Sequence, residues 1–201
     1  MPALLLCAAV LLPAAPPVDI GHTTRVIRRA DLLRGKSTTA LKEQDGVAEN
    51  DRIRTQSSGR ARVVLNDGSI LNIGSNSLLT VRGSSEATRA GSLELTYGSL
   101  RALVTAAAGQ RNFEVRTKTA VCGVPGTTLF VDSSQGLTRV ANLSDEPDAR
   151  VRVTSTNPAV RGEVVLLPGQ GTSVPAQGPP RPPRRWTVEE VQAANLDTQI
   201  P

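Results

Sequence analysis

Short apolar runs and turn residues alternate from about residue 24 onward, at the roughly 8–12-residue rhythm of sandwiches and barrels. In Arg60-Ala61-Arg62-Val63-Val64-Leu65, the side chains of Ala61, Val63 and Leu65 share one side of an extended backbone and both arginines the other. Successive side chains of a strand point to opposite faces. Leu93 to Tyr97 and Phe113 to Thr117 alternate in the same way. Val26-Ile27, Gly46 to Thr55 around Ile53, Ser69 to Ile73, Leu78 to Val81 and Ser99 to Val104 supply further strands. Thr127 to Val131, Leu137 to Leu143, Ala149 to Thr154, Glu163 to Leu167 and Thr172 to Val174 continue the pattern. Ala120 to Val124 is apolar without a break, as in a strand buried on both faces. The expectation is an all-β fold of about eleven short strands, mostly antiparallel, in a sandwich or roll.

The turns between these runs are chemically specific. Asn66-Asp67-Gly68 is the strongest of them, because Asp-Gly tolerates the positive φ of a tight hairpin. Gly74-Ser75-Asn76-Ser77 predicts a second turn and Gly98 a turn or bulge. Pro125-Gly126 fits the centre of a type II turn: proline fixes φ and glycine supplies the positive angle. Pro168-Gly169 repeats that chemistry, and the polar stretch Gly83 to Gly91 predicts a loop.

Both ends break the rhythm. Ala3 to Leu12 is apolar and is followed by Ala14, Ala15 and three prolines, Pro13, Pro16 and Pro17. A run of this length is far below the ~20 residues a membrane helix needs and matches the core of a signal peptide. Residues 1–17 are therefore expected to be an export signal, though no basic residue precedes the run; Leu4-Leu5-Leu6-Cys7 also permits lipoprotein anchoring. No other run predicts a transmembrane span. At the other end, Pro175 to Arg185 is rich in Pro, Gly and Arg and predicts an extended linker that cannot pair in a sheet. A helix then starts after Thr187, with Glu190 completing a capping box, Trp186 and Val191 as staple, and Val188, Val191 and Leu196 as its apolar face. It either docks on a sheet edge or serves as a tail for a partner. The layout is a signal at 1–17, a β domain at 20–175, and a linker with helix at 176–201.

Composition narrows function more than fold. The formal charge is +5; acidic residues are interspersed with the basic ones, so a mixed-sign surface and an anionic partner both remain open. Aromatics are 2%, too few for the stacking platforms of a single-strand nucleic-acid binder. One histidine, His22, and two cysteines, Cys7 and Cys122, argue against a His/Cys metal site. Cys122 lies in the most apolar run and reads as a small buried hydrophobe, and Asp45, Asp51 and Asp67 beside turns read as turn formers. Ser133-Ser134-Gln135-Gly136 lacks the frame of a nucleophile elbow. No catalytic residue and no cofactor is expected.

The order of these segments resembles the FecR domain. The resemblance runs from Asp51-Arg52-Ile53-Arg54-Thr55 through Gly59 to Ser69 and Leu71 to Ser77, then Leu93 to Leu103, Phe113 to Thr117 and Ala120 to Thr127. It implies a periplasmic module that receives a signal from an outer-membrane receptor and relays it toward a sigma factor. Relay through a membrane helix is not implied here, because 1–201 holds no run of that length. The family's Gly-Val-Arg-Gly-Thr appears as Gly123-Val124-Pro125-Gly126-Thr127, so any role of that arginine's charge is absent. The expected protein is thus a periplasmic or secreted, non-enzymatic envelope module that binds another envelope protein, by strand addition at an open sheet edge. The alternative is binding of cell-wall glycan or another anionic polysaccharide through the arginine faces at Arg60, Arg62, Arg150 and Arg152. Nucleic acid is not an expected partner.

Overall fold

The computed structural model of the chain describes residues 17–82, 91–105 and 113–201. The export signal expected at 1–17 and the loop expected at Gly83 to Gly91 thus fall almost wholly outside the described residues. Strands are numbered along the chain. The front sheet runs, edge to edge, β4 (Gly46–Ala48), β1 (Asp19–Ile27), β6 (Arg60–Leu65), β7 (Ile70–Ile73), the second half of β9 (Ser92–Leu103), β12 (Thr128–Ser134), β13 (Leu137–Asn142), β16 (Gln170–Pro175) and β17 (Arg184–Arg185). The back sheet runs β3 (Ser37–Ala40), β2 (Ala30–Arg34), β5 (Arg52–Thr55), β8 (Leu78–Arg82), the first half of β9, β10 (Phe113–Arg116), β11 (Ala120–Val124), β14 (Val151–Ser155) and β15 (Glu163–Leu166). Among the described pairings only β9 with β10 is parallel. One helix, α1 (Val188–Thr198), follows. The fold is all-β, as expected. There are seventeen strands rather than about eleven: β2, β3 and β17 form outside the expected runs, Gly46 to Thr55 is divided between β4 of the front sheet and β5 of the back, and Leu93 to Tyr97 and Ser99 to Val104 join in β9.

Strand β9 joins the layers, and its apolar positions explain how. Leu93 and Leu95 point into the core from the back sheet, Leu100 and Ala102 from the front sheet, all fully or almost fully buried. The inward set switches from odd to even numbers, which a regular strand of period two cannot do. The register with β8 slips by one residue between Leu95 and Tyr97, and Gly98 just beyond takes φ of +90°. This is a bulge: one extra residue re-aims everything after it. A Cβ on Gly98 would lie 2.5 Å from Ser77 Cα and 2.6 Å from the Asn76 carbonyl, so glycine is required both by φ and by space.

The core lies between the sheets. Val63, Leu71, Leu100, Leu129 and Val140 of the front face meet Ile53, Leu79, Leu95, Val115 and Val153 of the back. Full burial of one such side chain contributes about 1.5–3 kcal/mol. Two sets of buried polar groups are paired across the layers. Thr117 and Thr119, at the β10–β11 turn, meet the Thr138 hydroxyl at 2.7 Å, and Thr119 also donates to the Val174 carbonyl at 2.9 Å. Asn142 donates to the Ala149 and Leu166 carbonyls at 3.2 and 3.1 Å.

The hairpin at Asp67-Gly68 forms as expected. The Leu65 amide donates to the Ser69 carbonyl, Gly68 takes φ of +84°, and the Asp67 carboxylate accepts from the Ser69 amide at 2.8 Å. This is a three-residue loop with glycine in the left-handed region. Gly126 and Gly169 also take positive φ. The Pro125-Gly126 turn, though, links β11 of the back sheet to β12 of the front one rather than closing a hairpin. Two other expectations need correction. Ala120 to Val124 is not buried on both faces: Ala120, Cys122 and Val124 are interior, while Val121 and Gly123 are partly open. Nor is Pro175 to Arg185 free of pairing. Arg184 and Arg185, after the last proline, pair with β16, and the amide of Arg181, between the two proline pairs, donates to the Ser173 carbonyl at 3.0 Å.

Candidate functional site

Two Arg-x-Arg strands present their guanidinium groups on opposite outer faces. On the front sheet, Arg60 and Arg62 of β6 project away from the core while Ala61 and Val63 fill it. The chain's own helix end closes over them. Arg60 donates from Nε to the Asp197 carbonyl at 2.7 Å and from Nη2 to the Leu196 carbonyl at 2.9 Å. Arg62 donates to Asn72 Oδ1 at 2.9 Å and to the Ile200 carbonyl.

The helix arrives there because its start is well defined. Thr187 Oγ1 accepts from the Glu190 amide, and the Glu190 carboxylate accepts from the Thr187 amide at 2.9 Å, the capping box expected from sequence. Hydrogen bonds from Arg184 and from the Thr187 backbone hold the Glu190 carboxyl down at about 2. The buried face differs from the expected one. Val188 and Leu196 are each 67% exposed, and Ala194 and Thr198 face inward instead. Ala194 packs with Phe130 and Ala141, joined by Trp186, whose ring meets Phe130 edge-on at 5.8 Å. The seat is the middle of the front sheet, on β12 and β13, not a sheet edge. Gly171 leaves room for the indole: a Cβ there would lie 1.9 Å from Trp186 Nε1. Gly74 is bare for a similar reason, with Ser99 and Asp197 against it.

On the back sheet the corresponding arginines stay open. In the register of β10, β11, β14 and β15, one outward row reads Glu114, Gly123, Arg152, Val165 and the next reads Arg116, Val121, Thr154, Glu163. Gly123 has no side chain to fill its place; a Cβ there would meet only Arg152 Cβ, at 3.9 Å. The result is a groove of about 640 Å³, with Val121 and Gly123 in its floor and Arg150 and Pro125 at one end. Arg152 makes one long contact, 3.4 Å to Glu163, with its side chain 68% exposed. Among the described residues Arg150 bonds only the Pro147 and Ala149 carbonyls, both at 2.9 Å. Beside the groove, β15 pairs with β14 alone, and no strand lies on its other edge among the described residues. Val165 and Leu167 are each 42% exposed there.

The remaining titratable groups form no reaction centre among the described residues. Burial pushes the Cys122 thiol up to about 12, so it stays protonated and unreactive. Burial also raises the Asp31 carboxyl, but hydrogen bonds from Arg54 and Gln56 and the charge of Arg29 outweigh it and hold it below the usual range. Asp51 is buried and takes two hydrogen bonds from Arg34, at 2.9 and 2.6 Å. His22 is exposed. No group of three or more His, Cys, Asp or Glu suited to a metal occurs among the described residues, and no helix there is long and apolar enough to cross a membrane.

Residues 51–146, just under half of the chain, match the FecR protein family. The chain carries a FecR domain. The matched span of the FecR domain runs from β5 to the end of β13, so it includes Arg60 and Arg62 but not β14, β15 or α1. Two crystal structures of a proposed anti-sigma factor from Parabacteroides distasonis, at 2.50 and 1.65 Å, share its fold. Each has a TM-score of 0.56 and 18% identity over 71% of this chain. The chain spans 62% and 63% of those two chains, so each has a part without counterpart here. No curated protein matches the sequence.

Proposed function

We propose that this chain is an exported regulatory module of a bacterial envelope that binds a second envelope protein by strand addition at β15. The carrying observation is the unpaired edge of β15 beside the Arg150–Arg152 groove, with Val165 and Leu167 exposed along it. An extended segment laid there would gain backbone hydrogen bonds from the edge and side-chain contacts in the groove. The FecR match and the fold shared with a proposed anti-sigma factor support a regulatory role. Export rests on the apolar segment Ala3 to Leu12.

The test is capture of an envelope protein on tagged chain from its native envelope fraction, with washes of rising salt. Strand addition leads one protein to be retained through high salt and lost with Val165→Lys, which places a charge on the edge. Retention unchanged by Val165→Lys would overturn the reading. Salt-sensitive retention on wall glycan or lipopolysaccharide alone would replace it with polysaccharide binding.

A further inference from the structure

The front sheet holds a second docking surface, already occupied. Residues 188–201 contain three acidic side chains, Glu189, Glu190 and Asp197, and no basic one. The helix therefore has no cation of its own to offset the partial negative charge at its C-terminal end. The sheet supplies it: Arg60 and Arg62 take the terminal carbonyls, and Arg101 donates to Asn195 Oδ1 at 2.5 Å. The Asp197 carboxylate accepts from the Ser75 hydroxyl at 3.0 Å and from the Ser99 hydroxyl. The helix itself buries only Ala194 and Thr198 and leaves Val188 and Leu196 to solvent; the larger apolar contacts of the segment are at its two flanks, Trp186 against Phe130 and the buried Ile200. The seat thus recognises the helix by charge and by small size at one position, with apolar contacts at the flanking Trp186 and Ile200.

We infer that this basic seat is a docking site for an acidic α-helical segment of a partner protein, and that α1 is its resident, competing occupant. The chemistry of the partner can be read from the resident: a small residue against Phe130 and Ala141, a carboxylate three positions later for Ser75 and Ser99, and a helix end for Arg60 and Arg62. Residues 176–183 tether α1 beside the seat, so an incoming helix competes with a local copy at high effective concentration. The inference stands apart from strand addition at β15, on the opposite sheet.

The experiment uses the full chain and a labelled peptide of residues 187–201, which lacks the sole tryptophan. Trp186 emission then reports the resident helix. Ala194→Glu and, separately, Asp197→Lys are expected to red-shift that emission while the far-ultraviolet β spectrum persists. Peptide affinity should rise at least about tenfold over the unmodified chain and fall several-fold between roughly 50 and 500 mM salt. Arg60→Glu with Arg62→Glu should remove it. Failure of both variants to shift Trp186, no gain in peptide binding once it shifts, or binding indifferent to the two arginines would each overturn the inference.

Discussion

Arg60-Ala61-Arg62-Val63 and Arg150-Val151-Arg152-Val153 are nearly the same tetrapeptide, yet their arginines meet opposite fates. The first pair is closed by the carbonyls of the chain's own helix end. The second faces an open groove, where its nearest carboxylate, Glu163, lies 3.4 Å away. An alternating arginine strand fixes only that charge points away from the core; whether that charge is satisfied depends on what lies over the sheet. The first pair also shows that an outward guanidinium need not signal an external anion, since backbone carbonyls at a helix end serve as well.

The sharpest control breaks both regions together. Leu95→Ala in β9 empties a fully buried site in the strand common to both sheets and should cost about 2–5 kcal/mol in urea denaturation. The contrast itself is tested by two double variants. Arg60→Ala with Arg62→Ala should cost about 1.5–3 kcal/mol through lost charge-assisted bonds and red-shift Trp186. Arg150→Ala with Arg152→Ala should stay within about 0.5 kcal/mol, as at an unengaged surface. Equal costs for the two pairs would erase the distinction drawn between the faces. Thr187→Ala removes the cap of the helix and should cost about 1 kcal/mol, read by the same emission while the back sheet is unchanged.

Acid supplies the mildest probe. The Glu190 carboxyl is held at about 2 against an ordinary 4.5. A depressed carboxyl contributes stability above its unfolded value and loses it as pH falls through the folded one. Helix docking should therefore be constant from neutrality to about pH 5 and weaken between 4.5 and about 2. Glu190→Gln should lose that step in the Trp186 titration.

Residue pattern alone determined much of this protein. Period-two alternation assigned the strands, Asp67-Gly68 set a hairpin, and Thr187 with Glu190 began the helix, because each rests on local geometry that a few neighbouring residues dictate. The ordered turns also carried the likeness to FecR domains. Tertiary structure decided the rest. The parity switch between Leu95 and Leu100 depends on β9 belonging to two sheets, so one strand had to face the shared core from both sides. Helix α1 buries Ala194 rather than Val188 and Leu196 because its seat is a polar sheet face with room for a methyl and cations for a helix end. Gly123 looked like part of a turn motif and proved to be the floor of a groove, since its role depends on strands β10 and β14 on either side. Distant segments meet only after folding, and the charge balance of a surface is settled where they meet.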